Sequence, residues 1–203
     1  MKTGVWVGLL VGVAMFTCGL TVIRAKKAAP VYFPKGIFSR FAEADRSNAR
    51  RYTRYLLALR EPSLYGMKRN PKAVQFRFLC LRMFDQPFAI RVKALANGGG
   101  RLYFKASDGT GGYRPGNLVT QKTVKLNKTQ MQSCLSKFTR YHFLRLLSQA
   151  NNLDGYDRVP WVLEGVLNGK YNLVERLSPS HGSVRKLGLY MLKLSGEKVR
   201  DLD

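Results

Sequence analysis

The sequence predicts an α+β fold: an antiparallel sheet of about six strands with helices packed on one face, preceded by a transmembrane helix. Three observations predict it. The patterned segments run helix, four strands, helix, two strands, helix, which keeps strands and helices segregated along the chain. The stretch PWVLEGVLNGKYNLVERL, from Pro160 to Leu177, alternates around Asn168-Gly169, a strong short-range hairpin signal. Gly4 to Ile23 is a run of twenty uncharged residues, matching the roughly 20 that a helix needs to cross a bilayer core. The boundaries that follow are 1–23 for an anchor or signal segment, 24–37 for a linker, 38–72 for a basic amphipathic helical segment, 73–196 for the globular domain and 197–203 for a tail.

The first element decides where the chain sits. The apolar run is longer than the roughly 7–15 residues of a cleaved signal, and no small-residue cleavage site follows it, so an uncleaved anchor is expected. Gly4, Gly8 and Gly12 share one helix face and would let two such helices approach as a homodimer. Two cues oppose each other on orientation. Arg24, Lys26 and Lys27 follow the span and favour a cytoplasmic domain by the positive-inside rule. A single N-terminal anchor on a small domain favours export, and we expect a single-pass inner-membrane protein with its domain in the periplasm.

Pro30 and Pro34 break the linker. From Phe38 to Arg60 a 3.6-residue period places Phe38, Phe41, Ala49, Tyr52, Tyr55, Leu56 and Leu59 in one sector. Arg40, Arg46, Arg50, Arg51 and Arg54 take the other, and Arg46, Arg50, Arg51 and Arg54 are candidates to face anionic lipid. Residues 73–127 read as four strands, with lysine and arginine at alternate positions such as Gln75-Phe76-Arg77-Phe78. That pattern predicts a half-exposed sheet with a basic face. Asn127 caps a second helix that carries Cys134, Leu135, Phe138 and His142, where His142 reads as a hydrogen-bonded core histidine. The hairpin follows, then a helix from about Val184 to Leu194.

Charge and composition narrow the function. The chain of 203 residues has 35 Lys and Arg against 12 Asp and Glu, a net charge of +23. Such a surface attracts anionic lipid or an acidic protein through salt-sensitive fields. Nucleic acid is disfavoured, because RRYTRY and QFRFLCLR mix charge with aromatics but no RRM, KH or helix-turn-helix pattern accompanies them. Three cysteines and two distant histidines give no metal-ligand spacing, and no cofactor motif is present. Cys80 and Cys134 leave a disulfide and two buried thiols equally open. The loop SDGTGGYRPG lacks a P-loop ending and reads as a glycine-rich connection, with Arg114 beside it as an anion-binding candidate. Ser180 and His181 are adjacent but lack a nucleophile-elbow context.

The hairpin holds the sharpest candidates. A two-residue turn at Asn168-Gly169 pairs Glu164 with Leu173 and Val162 with Glu175. Glu164, Glu175 and Tyr171 then share one face, while Trp161, Leu163, Leu167 and Val174 take the other. Two close carboxylates suit acid/base catalysis. Arg77, Arg82, Arg91 or Arg176 would instead neutralise them, and Asp154 and Asp157 enlarge the acidic island into a binding patch.

GGYRPGNLVTQKTVKLNKTQ, LDGYDRVPWVLEGVLNGKYNLVERLSP and RKLGLYMLKLSG together resemble an uncharacterised family of small bacterial exported or anchored α+β proteins, over roughly residues 75–195. The matching residues are Leu153, Asp154, Gly155, Trp161, Leu163, Glu164, Gly165, Gly169, Lys170, Tyr171, Arg176, Ser178 and Pro179. The spacing from LDG to Trp161 is longer here, and Leu177 replaces an aromatic residue. The resemblance implies a domain boundary and no chemistry. The expected function is therefore a membrane-anchored, basic interaction module, with Asp154, Trp161, Tyr171, Arg176 and Arg114 as binding residues. A hydrolase using Glu164 and Glu175 and an immunity-type inhibitor are the alternatives.

Overall fold

The computed structural model describes residues 29–149, 158–199 and 202. Gly4, Gly8, Gly12, the apolar run, Cys18, Asp154 and Asp157 lie outside the described residues. Among the described residues no helix is long and apolar enough to cross a membrane.

The elements are α1 (Ala42–Ala58), β1 (Val74–Cys80), β2 (Phe88–Ala94), β3 (Gly100–Ser107), β4 (Leu118–Leu126), α2 (Lys128–Arg140), β5 (Pro160–Leu167), β6 (Lys170–Leu177) and α3 (Gly182–Ser195), with short 3₁₀ turns at Tyr65–Arg69 and Phe143–Arg145. All six strands form one antiparallel sheet in the order β4-β3-β2-β1-β5-β6. The first four strands are a meander. The β5–β6 hairpin returns through α2 to pair with the free side of β1, so β2 and β1 are the central pair and β4 and β6 the edges.

Hairpin register follows the sequence expectation pair for pair, with Glu164 opposite Leu173 and Val162 opposite Glu175. Asn168 and Gly169 both hold positive φ, 51° and 73°, as a type I′ turn requires. Asn127 and Gln130 form a reciprocal capping box on α2, at 2.8 and 2.9 Å. Gly196, at φ 73°, ends α3.

Period-2 alternation gives the sheet two faces, and both are covered. Phe76, Phe78, Ile90, Val92, Leu102, Phe104, Trp161, Leu163 and Val174 meet Met131, Cys134 and Phe138 of α2 and Val184, Leu187 and Met191 of α3. The contact is close: a Cβ on Gly188 of α3 would lie 2.7 Å from the Trp161 ring. Leu79, Ala89, Val162 and Leu173 point the other way, against Tyr32, Phe33, Phe38 and the α1 side chains Tyr52, Tyr55, Leu56 and Leu59. The expectation of helices on one face is thus corrected. α2 and α3 take one side, and α1 takes the side expected to be half-exposed.

Three further expectations change. α1 starts at Ala42, because the Asp45 carboxylate holds the N–H groups of Gly36 (2.8 Å) and Phe38 (2.9 Å) in a non-helical turn. Phe41 is therefore an extended N-cap, off the helical wheel and 65% exposed. α2 ends at Arg140, so His142 leaves the apolar stripe and stands exposed at φ 50°. Of the two cysteine alternatives, the structure has free thiols: Cys80 and Cys134 are both buried. Burial pushes the Cys134 thiol up to about 12 and Cys80 higher still, so both stay protonated and inert.

Candidate functional site

The hairpin face that carries the two glutamates continues across the sheet as cross-strand rows. One row runs Leu173, Glu164, Arg77, Arg91, Tyr103, since Glu164 pairs with Leu173 and Arg77, Arg77 with Arg91, and Arg91 with Tyr103. Arg77 and Arg91 are thus directly opposite like charges, an arrangement that destabilises a sheet unless something intervenes. Glu61 intervenes. It lies in the connection after α1, where Tyr32 donates to its backbone carbonyl at 2.7 Å. Its Oε2 receives Arg91 Nε at 2.7 Å and lies 3.5 Å from Arg77 Nη1; Lys105 Nζ stands 3.0 Å from its Oε1.

Every member of this cluster is buried: Glu61, Arg77, Arg91, Lys105 and Glu164 are each under a tenth exposed. The three cations have further partners. Arg77 also binds Pro62 O at 2.6 Å, Arg91 donates to Gln75 Oε1 at 3.0 Å and lies 4.3 Å above the Tyr103 ring, and Lys105 donates to Arg60 O at 2.7 Å. Glu61 Oε1 accepts no aligned hydrogen bond among the described residues and is held by the Lys105 charge.

Glu164 binds the Arg77 guanidinium and accepts from Tyr171 Oη at 2.9 Å. Burial pushes its carboxyl above the ordinary value, with Arg77 and Tyr171 pulling the other way. Desolvation presses the Arg77 guanidinium down, and Glu164 and Glu61 more than offset it. Glu175 has a separate partner: it accepts from the phenol of Tyr52 on α1. Burial raises its carboxyl too, opposed by that hydrogen bond and by the Arg51 and Arg176 charges. The charges acting on Glu164 are Arg77 and Glu61, and those acting on Glu175 are Arg51 and Arg176. The sequence brings the two carboxylates to one face, and the structure gives each its own internal partner. At 1% and 7% exposure both are buried.

The remaining candidates disperse. Trp161 is fully buried, its indole N–H donating to Leu202 O at 3.0 Å. Tyr171 is half-buried beside Glu164 and packs edge-on against Tyr65. Arg176 donates to the carbonyls of Leu147, Ser148 and Glu175. Arg114 is exposed on the glycine-rich loop, which turns back through a Thr110–Arg114 bridge. That loop rests on α1, with Tyr55 Oη donating to Thr110 O (2.8 Å) and Gly111 O (2.9 Å). Asp154 lies outside the described residues.

Ser180 Oγ and His181 Nδ1 are 2.9 Å apart at a cavity of about 430 Å³ next to the start of α3. Both are exposed and no carboxylate orients the imidazole among the described residues, so the third member of a nucleophile–base relay is missing. Among the described residues no group of three His, Cys, Asp or Glu side chains is placed to hold a metal ion. Arg46, Arg50 and Arg54 form an exposed stripe on α1, whereas Arg51 is half-buried and donates to Gly111 O at 3.2 Å.

Glu61 was not among the sequence candidates. Its one signal is scarcity: it is one of only 12 acids in a chain of 35 cations. No protein family matches the chain, and no curated protein matches it.

The Glu175 carboxyl, raised in the fold, makes the folded state favour the protonated form. The stability this confers is complete below the ordinary carboxylate pKa and is lost as pH rises through the raised value. Glu175→Gln keeps an acceptor for Tyr52 and removes the buried charge. Its melting temperature should therefore exceed the parent's at pH 7, and the gap should close at about pH 4, near the unfolded value. Thermal melts of both chains at the two pH values measure this.

Proposed function

We propose that the chain is a membrane-anchored, basic α+β interaction module that acts by binding an anionic partner and not by catalysis. One observation carries the reading. Among the described residues Asp45, Glu61, Glu164 and Glu175 are buried, against only Arg77, Arg91 and Lys105. Among the described residues folding thus withdraws four of the eight acids and three of the 30 cations, leaving their surface more one-sided than their composition. A surface of that kind recruits anionic lipid or an acidic protein at long range.

The anchor rests on Gly4 to Ile23, whose length and lack of charge suit a single bilayer crossing, and the small residues Gly4, Gly8 and Gly12 suit pairing of two such helices. The domain is placed on the periplasmic side. The chain would then be a member of the anchored bacterial family that its LDG, LEG and GKY text resembles. The hydrolase alternative loses support because its two carboxylates are sequestered, each on a donor of the protein's own interior.

A topology reporter joined after Asp203 tests the compartment: alkaline phosphatase should be active there and a fluorescent protein dark, and the reverse pattern places the domain in the cytoplasm. The binding mode is tested with partners cross-linked in cells through a cleavable reagent. After cleavage, wash-out of the partner should rise steeply between low and high salt, about the range where the Debye length falls from roughly 30 Å to 3 Å. Retention that ignores salt sinks the charge-driven reading.

A further inference from the structure

We infer that the outward face of α1, with the cavity between it and residues 30–33, docks flat on an anionic phospholipid surface and takes one lipid phosphate between Arg50 and Arg54. The inference rests on the anchored reading above.

α1 divides cleanly. Tyr52, Tyr55 and Leu56 face the sheet. Arg46, Arg50, Arg54 and Leu57 recur at helical spacing on the outer side, with Glu43 the acid among them, and Arg40 and Phe41 precede the helix. None of Arg40, Arg46, Arg50 and Arg54 is ion-paired with a carboxylate among the described residues. The face also exposes Leu57, at 55%, and Phe41 just before the helix is 65% exposed. Arginine combined with exposed apolar side chains is the composition of a face that lies in the headgroup region.

Beside this face is a cavity of about 430 Å³. Pro30, Val31, Tyr32, Phe33 and Ala49 give it apolar walls, and Arg50 and Arg54 stand among its lining residues. Guanidinium groups suit a phosphate, as forked donors of fixed charge. Apolar walls suit the glycerol and first methylenes behind it.

The chain's own length selects the lipid as occupant over a soluble acidic partner. Val31 is eight residues beyond Ile23, where the apolar run ends. Fully extended, eight residues reach about 28 Å. A domain tied that closely to a bilayer keeps this cavity within a headgroup layer's reach. Arg24, Lys26 and Lys27 in the tether add charge of the same sign beside the membrane.

The test uses the full chain with Cys18→Ser and Leu57→Cys, spin-labelled at position 57; Cys80 and Cys134 are buried. It is reconstituted into vesicles of phosphatidylcholine alone or with phosphatidylglycerol at about a 7:3 ratio, a mixture that supplies the surface potential. Flotation reports the anchor, and protection of the label from a water-soluble relaxant reports docking. A second label at Gln132, exposed on α2, is the control. Docking predicts flotation in both lipids, protection of position 57 in the anionic vesicles only, and no protection of position 132. Neutralising Arg50→Gln with Arg54→Gln should lower the docked-to-undocked ratio on the order of 30-fold without affecting flotation. Flotation with position 57 equally exposed in both lipids overturns docking and leaves the anchor standing. Flotation with anionic vesicles alone, lost on neutralising the two arginines, overturns the anchor and upholds docking. Flotation with neither overturns both.

Discussion

The second face of this sheet closes only because one carboxylate, that of Glu61, sits over three cations. β1, β2 and β3 present Arg77, Arg91 and Lys105 on the side that α1 covers, and the strand register sets Arg77 against Arg91. Covering that face brings buried cations within a few ångströms of one another. Glu61 bonds or ion-pairs with all three, and Glu164 takes the other side of Arg77. Such a cluster is about neutral for stability against a well-packed apolar equivalent. Its consequence is different: every member depends on the others, because loss of one leaves a buried charge uncompensated. The cluster therefore ties the α1–β1 connection to one position on the sheet.

That dependence explains both what was legible in the sequence and what was not. The hairpin was legible to the residue, since Asn168-Gly169 fixes the turn and a period of two fixes the faces. Element order was legible too, because turn residues punctuate it. The side of α1 was not. Alternating cations in a strand read as solvent-facing, and Arg77, Arg91 and Lys105 follow that rule in sequence while breaking it in space. What reverses the reading is Glu61, in a connection with no periodicity, 16 residues before Arg77 and 44 before Lys105. A wheel drawn through Phe41 failed for a simpler reason: the helix begins one residue later.

The candidate site was half legible. Placing Glu164, Glu175 and Tyr171 on one face needed only the register. Their partners did not follow from it, because Tyr52 comes from α1 and that helix was expected elsewhere. With the partners known, Glu61, Glu164 and Glu175 belong to the interior and Arg46, Arg50 and Arg54 to the exterior. The asymmetry gives the fold its outward character. The acids that neutralise buried cations or hold backbone turns, as Asp45 does, are withdrawn from a surface already short of them.

The most direct test of this account is the stability of Glu61→Gln, measured by chemical denaturation of the full chain in mild detergent at pH 7. Glutamine keeps the shape and removes the charge from beneath Arg77, Arg91 and Lys105. The account predicts a loss of about 3–5 kcal/mol, the cost of breaking a buried ionic cluster by removing one partner. A change within about 0.5 kcal/mol, the range of an ordinary surface substitution, would contradict it.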